Sequence, residues 1–222
     1  MDSDGKKIFI GFSSDTSGTM KYIAPDGTIV LFAKNPKNFT DIAEHWAKDN
    51  IKFVTERELF MGTGSSTFSP DRGMTRAMFA AVIGRLYESS YGKIKSDGSH
   101  AFSDVDYTAY SGTYIDWAAE NNIISGIGGQ KFAPNREITR EEMAQILYSF
   151  ARFMKVLPAD MNTTLNYSDS SKISTWANAG ALYCQTASII TGRDGGNFVP
   201  QGKATRAEVA AILQTFIGIT VK

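Results

Sequence analysis

Residues Gly62 to Arg76 read GTGSSTFSPDRGMTR, and the chain writes that phrase twice more: GIGGQKFAPNREITR from Gly126 to Arg140 and GRDGGNFVPQGKATR from Gly192 to Arg206. In each copy the first Gly leads a Phe by six positions, a Pro by eight and the closing Arg by fourteen. The Arg residues stand 64 and then 66 positions apart. A fixed internal period sets the architecture before any local reading does. Three copies of one unit therefore fill most of the chain, and its site is expected in triplicate.

The repetition continues outside the phrase. Sixteen residues before the first Gly stand Trp46, Tyr110 and Trp176; nine before it stand Phe53, Trp117 and Tyr183. Each unit opens on an aromatic, a hydroxyl residue and Asp: Phe39-Thr40-Asp41, Phe102-Ser103-Asp104 and Tyr167-Ser168-Asp169. Beyond each Arg, apolar residues fall at +3, +6, +7 and +10: Phe79, Val82, Ile83, Leu86; Met143, Ile146, Leu147, Phe150; Val209, Ile212, Leu213, Phe216. That spacing is one face of an amphipathic helix. Each unit reads as an opening turn, a first helix, a Gly-rich loop with a Phe-x-Pro bend, and a second helix.

These residues resemble the S-layer homology (SLH) family. Asp41 to Ala47 reads DIAEHWA, Tyr114 to Gly126 reads YIDWAAENNIISG, and Thr205 to Glu208 reads TRAE. The resemblance covers residues 38 to 217, and three units are that family's usual complement. It implies a mainly α fold in which three helical repeats surround a central three-helix bundle with pseudo-threefold symmetry, preceded here by a short N-terminal β segment. The divisions are 1–37, a β-rich tail of an upstream domain or linker; 38–101, 102–166 and 167–222, the three repeats.

Composition bounds the partners. The sequence has 23 basic and 23 acidic residues, so no net field favours nucleic acid or an anionic membrane surface. It holds no run of ~18 apolar residues, hence no transmembrane helix. The opening MDSDGKKIFIGFSSD lacks an apolar signal core, and Met1 is expected to open a piece of a longer secreted chain. The single Cys184 lies on an apolar stripe and reads as a free buried thiol. In residues 1–37, KKIFIGF, Tyr22-Ile23 and Ile29 to Ala33 are β-rich, with Pro25-Asp26-Gly27 as a turn.

Thr75, Thr139 and Thr205 suit helix N-caps, and Glu142 and Glu208 complete capping boxes; Met78 takes the Glu position in the first repeat. Capping does not require the Arg, whose charge sits at the unfavourable end of the helix dipole. Two readings of Arg76, Arg140 and Arg206 compete. In one they pair with carboxylates of a neighbouring repeat, such as Asp41, Asp104 and Asp169. In the other, guanidinium and free helix-start N–H groups form an anion site. The resemblance favours the second, because it implies binding of pyruvylated secondary cell-wall polysaccharide, whose ketal presents a carboxylate.

Trp46, Tyr110 and Trp176 could stack on sugar faces, although core is the commoner role for such residues on an apolar helix face; Phe53, Trp117 and Tyr183 read as core. Gly64 and Gly128 either admit a sugar to the backbone or make a tight turn. Asp194 takes that position in the third repeat. Phe68, Phe132 and Phe198 read as plugs holding the loop to its own helix. Because Met78 breaks its capping box and changes the groove wall, the first repeat, with Arg76, is expected to be the weakest or most altered site.

Catalysis finds little support. With two His and one Cys there is no metal cluster or Cys–His pair, and no phosphate or nucleotide motif stands in a suitable context. No cofactor is expected. The reading is a non-catalytic anchoring module, a monomeric pseudo-trimer, attaching a secreted protein to the bacterial cell wall or S-layer. Its rivals are a helical platform that binds protein and an accessory part of a cell-wall hydrolase.

Overall fold

The computed structural model describes residues 36–220 and, before them, the backbone of two strands. Strand β1 (Thr19–Ile23) pairs antiparallel with β2 (Ile29–Ala33), Ile23 opposite Ile29 and Thr19 opposite Ala33. The KKIFIGF stretch and the Pro25-Asp26-Gly27 turn lie outside the described residues.

Each repeat contributes one short and one long helix. The short ones are α1 (Lys48–Glu56), α3 (Gly112–Glu120) and α5 (Asn178–Thr186); the long ones are α2 (Arg76–Tyr91), α4 (Arg140–Phe153) and α6 (Arg206–Thr220). The short helices stop in one way. Glu58, Asn122 and Ser188 take left-handed φ values of 58°, 55° and 53°. The next N–H then reaches back: Leu59 to the Val54 carbonyl, Ile123 to Ala118 and Ile189 to Cys184. This is the Schellman stop, here without glycine, and it turns Leu59, Ile123 and Ile189 into the core.

The long helices start as their sequence dictates. Thr75, Thr139 and Thr205 each accept from the N–H three residues on. Glu142 and Glu208 answer to the Thr139 and Thr205 N–H groups, so both expected capping boxes form. All twelve apolar positions predicted for one face are buried.

The main helix contacts among the described residues run between repeats. Helix α2 packs on α3, α4 on α5, and α6 on α1, so each long helix lies against the short helix of the next repeat and the third repeat closes on the first. Close approach shapes one of these seams: a Cβ on Gly84 of α2 would stand 2.2 Å from the Tyr114 ring of α3. The residues before the long helices complete the closure. The Met74 N–H donates to the Ala204 carbonyl (2.9 Å), Ala204 to Ile138 (3.3 Å) and Ile138 to Met74 (2.9 Å). Three chain segments thus form a cyclic triangle of hydrogen bonds, which marks the pseudo-threefold axis from which the long helices depart. One core cluster runs through all three repeats, with Phe150 of α4 and Phe216 of α6 stacked 5.8 Å apart.

Candidate functional site

The three Arg residues occupy equivalent places, each at the first position of a long helix, and all are buried at 4% exposure. An anion site at these helix starts would need the guanidinium groups partly open to solvent, and they are not. Each reaches into the next repeat. Arg76 Nε donates to the Phe132 carbonyl (2.9 Å), Arg140 Nε to Phe198 (2.7 Å) and Arg206 Nε to Phe68 (2.8 Å). Arg76 also donates to the Ser125 carbonyl and Arg206 to that of Met61, with their guanidinium carbons 4.7 and 4.3 Å from the Phe132 and Phe68 ring centroids.

The opening Asp residues do not pair with these Arg side chains; they grip the same loop from its own repeat. Asp41 accepts from the N–H groups of Phe68 and Ser69, Asp104 from Phe132 and Ala133, and Asp169 from Phe198 and Val199. Each plug Phe thus has its N–H held by its own repeat's Asp and its carbonyl by the preceding repeat's Arg. The following residue is forced to a positive φ, 57° at Ser69, 58° at Ala133 and 56° at Val199. Such φ values are rare outside Gly and least favourable for β-branched Val, and nothing in these residue types announces them. Burial alone would raise the Asp41 and Asp104 carboxyls; the donated N–H bonds outweigh it and hold both below their usual range.

The helix-start N–H groups are not free either. Those of Arg76 and Ala77 donate to the Arg136 and Pro134 carbonyls, those of Arg140 and Glu141 to Gly202 and Pro200, and those of Arg206 and Ala207 to Arg72 and Pro70. Backbone of the next repeat fills each helix start, which excludes an anion site built from those groups.

The aromatic column reverses its expectation. Trp46, Tyr110 and Trp176 precede the short helices instead of riding on them, and are 66%, 60% and 54% exposed. Seven residues on, Trp117 and Tyr183 are buried as expected and Phe53 is partly so. Gly128 has φ 101° with open space about it, the mark of a turn. Gly64 packs against Thr67, whose hydroxyl a Cβ would meet at 2.7 Å. The tighter requirement falls on Gly62 and Gly126, where a Cβ would stand 2.6–2.9 Å from the Phe39 or Phe102 ring and from loop carbonyls.

A cavity of about 480 Å³ opens where the first repeat's loop meets its neighbours. Gly62, Arg72, Met78 and Arg85 of the first repeat line it, with Tyr110 of the second and Arg206 of the third. Met78 thus alters the groove that holds Arg206, whereas Arg76 donates to Phe132, Ser125 and Glu142. Arg85 lies 5.9 Å from the Tyr110 ring. Burial, then the charge of Arg72, lowers the Arg206 pKa to about 10. The other two Arg residues meet carboxylates: Glu142 accepts from both Arg76 and Arg136, and Glu208 pairs with Arg193 and, at 3.9 Å, with Arg140. Among the described residues no group of three or more His, Cys, Asp or Glu could hold a metal ion, and no helix is long and apolar enough to cross a membrane.

A ring of three interlocked helical repeats, each long helix packed on the short helix of the next, defines a class of closed helical repeat modules. The S-layer homology domain profile matches residues 38–80, 101–144 and 166–210, and the chain belongs to that family. It is 31% identical over 95% of its length to an amylopullulanase of Thermoanaerobacterium thermosulfurigenes. It is 32% identical over 96% to exoglucanase XynX of Acetivibrio thermocellus, and 24% over 93% to S-layer protein EA1 of Bacillus anthracis. The matches span only 12%, 20% and 22% of those proteins. What the chain shares with enzymes and S-layer proteins alike is thus the anchoring module, which is non-catalytic and serves attachment to the cell wall.

Proposed function

We propose that this module binds pyruvylated secondary cell-wall polysaccharide in the grooves between its repeats. The observation that carries the reading is the cavity that places a buried guanidinium, Arg206, within reach of an exposed aromatic, Tyr110. A pyruvate ketal supplies a carboxylate for the first and a sugar face for the second. Trp46 and Trp176 are the pseudo-symmetric counterparts of Tyr110 and offer the same stacking surface at the other junctions, where Arg140 and Arg76 hold the loops that shape the grooves. Gly64 and Gly128 serve the loop turns. Weak contacts at more than one junction strengthen anchoring, since the first sugar bound makes the next binding intramolecular. In the whole protein such a module would hold a surface enzyme or an S-layer subunit at the envelope. The test is pull-down by purified sacculi before and after acid extraction of the secondary polymers. Retention that survives extraction would overturn the reading.

A further inference from the structure

The three junctions of the ring are built from the same parts, yet their charges differ. At the first, Arg76 and Arg136 share the carboxylate of Glu142. At the second, Arg140 and Arg193 share that of Glu208. At the third, Arg206 and Arg72 line the cavity, and the residue in the equivalent position is Met78. Among the described residues neither Arg206 nor Arg72 has an ion-pair partner, although Arg206 is 96% buried by its 4% exposure. A third cation, Arg85, faces the same space; its counterparts in α4 and α6 are Ser149 and Thr215.

We infer that the junction of the third repeat with the first is this chain's one anion-accepting groove, and that a ligand monocarboxylate there takes the place that Glu142 and Glu208 fill in the other two. The inference rests on the proposed reading of the module as a binder of an acidic glycan and assigns it to one groove. The physical basis is desolvation. A buried guanidinium without a carboxylate in contact is destabilised, and Asp41, whose charge reaches Arg206, does not stand within ion-pair distance of it. An incoming carboxylate therefore relieves a cost already present at Arg206, whereas at Arg76 and Arg140 it would first have to displace an internal carboxylate. Two guanidinium groups at one carboxylate give fork-like contacts. The Met78 thioether and the Tyr110 ring add apolar wall for the remainder of the sugar.

The experiment is calorimetric titration with a pyruvylated N-acetylhexosamine methyl glycoside, with its methyl ester as control, alongside sacculus binding. The intact chain should take up one equivalent of the acid and ignore the ester. Met78→Glu should remain folded and lose affinity about tenfold or more, because it installs the internal carboxylate. Met78→Gln, similar in size and uncharged, gives up the thioether contact but installs no charge, so it should bind at least about threefold more tightly than Met78→Glu. Uptake of three equivalents, or undiminished binding by Met78→Glu, would overturn the assignment to one groove while leaving the glycan reading intact. Failure of the intact chain to bind either the acid or sacculi would overturn the glycan reading, and the groove assignment with it.

Discussion

The guanidinium of Arg206 donates to the carbonyl of Phe68, 138 positions earlier in the chain, at 2.8 Å. That bond and its two counterparts make each loop the joint property of two repeats, its N–H groups held by one and its carbonyl by the other. The consequences for stability differ from those of a solvent-facing binding residue.

Arg140→Ala should cost about 2–4 kcal/mol of folding free energy, because it removes a charged donor from a buried carbonyl and leaves Glu208 with fewer partners. Arg140→Lys should recover only part of the loss, since an ammonium lacks the planar fork. Differential scanning calorimetry decides the matter; an unchanged melting temperature would show that the Phe198 loop holds itself.

Hydrogen exchange should find the amides of Met74, Ile138 and Ala204 among the slowest in the molecule. They form the cyclic triangle and open only when the ring does, so they should exchange through global unfolding. Fast exchange at Ala204 alone would mean that the third repeat detaches first.

Acid should loosen the ring at its loops. The Asp41 and Asp104 carboxyls are held below their unfolded values by donated N–H bonds outweighing burial, and Glu142 by the Arg136 bond, the Thr139 N–H and Arg76. A depressed folded-state pKa contributes stability that is complete above the unfolded value, near pH 4, and is lost as pH falls through the folded one. Stability measured by urea titration should therefore fall below about pH 4, and Asp104→Asn should flatten that slope while lowering stability at pH 7. An unaltered slope in Asp104→Asn would remove this carboxyl from the cause.

Trp176→Ala should leave stability within about 0.5 kcal/mol of the original, as expected for an exposed side chain, and reduce retention by sacculi. A large drop in melting temperature with normal retention would assign Trp176 to the scaffold.

Met78→Glu should raise stability by about 0.5–1 kcal/mol, through a completed capping box and a counter-charge for Arg206. A lower melting temperature would show that the packing of the Met78 side chain against the core outweighs both gains.

The elements of this fold were legible because they are local. Thr139 with Glu142 announces a helix start, and the positions from Phe79 to Leu86 announce the buried face; both stand as read. What periodicity cannot convey is the partner of a face. Nothing in Gly84 or Tyr114 says that a helix of one repeat lies on the next, so the sequence does not show that Met78 lines a cavity with Arg206 of the third repeat. The exposed Trp46 was obscured for a related reason. It looks continuous with the apolar face of α1, but the helix begins at Lys48, and a residue outside the helix does not inherit its periodicity. The occupied helix starts were hidden because their caps are backbone carbonyls, which every residue has.

The triangle of Met74, Ile138 and Ala204 has a consequence for how such a chain can change in length. Every seat in it gives one bond and takes one, so a shorter version would leave a donor and an acceptor stranded, and an extra copy would find no vacancy. A fourth copy added to this chain would therefore stand outside the triangle, and only a further set of three could close a second one beside it.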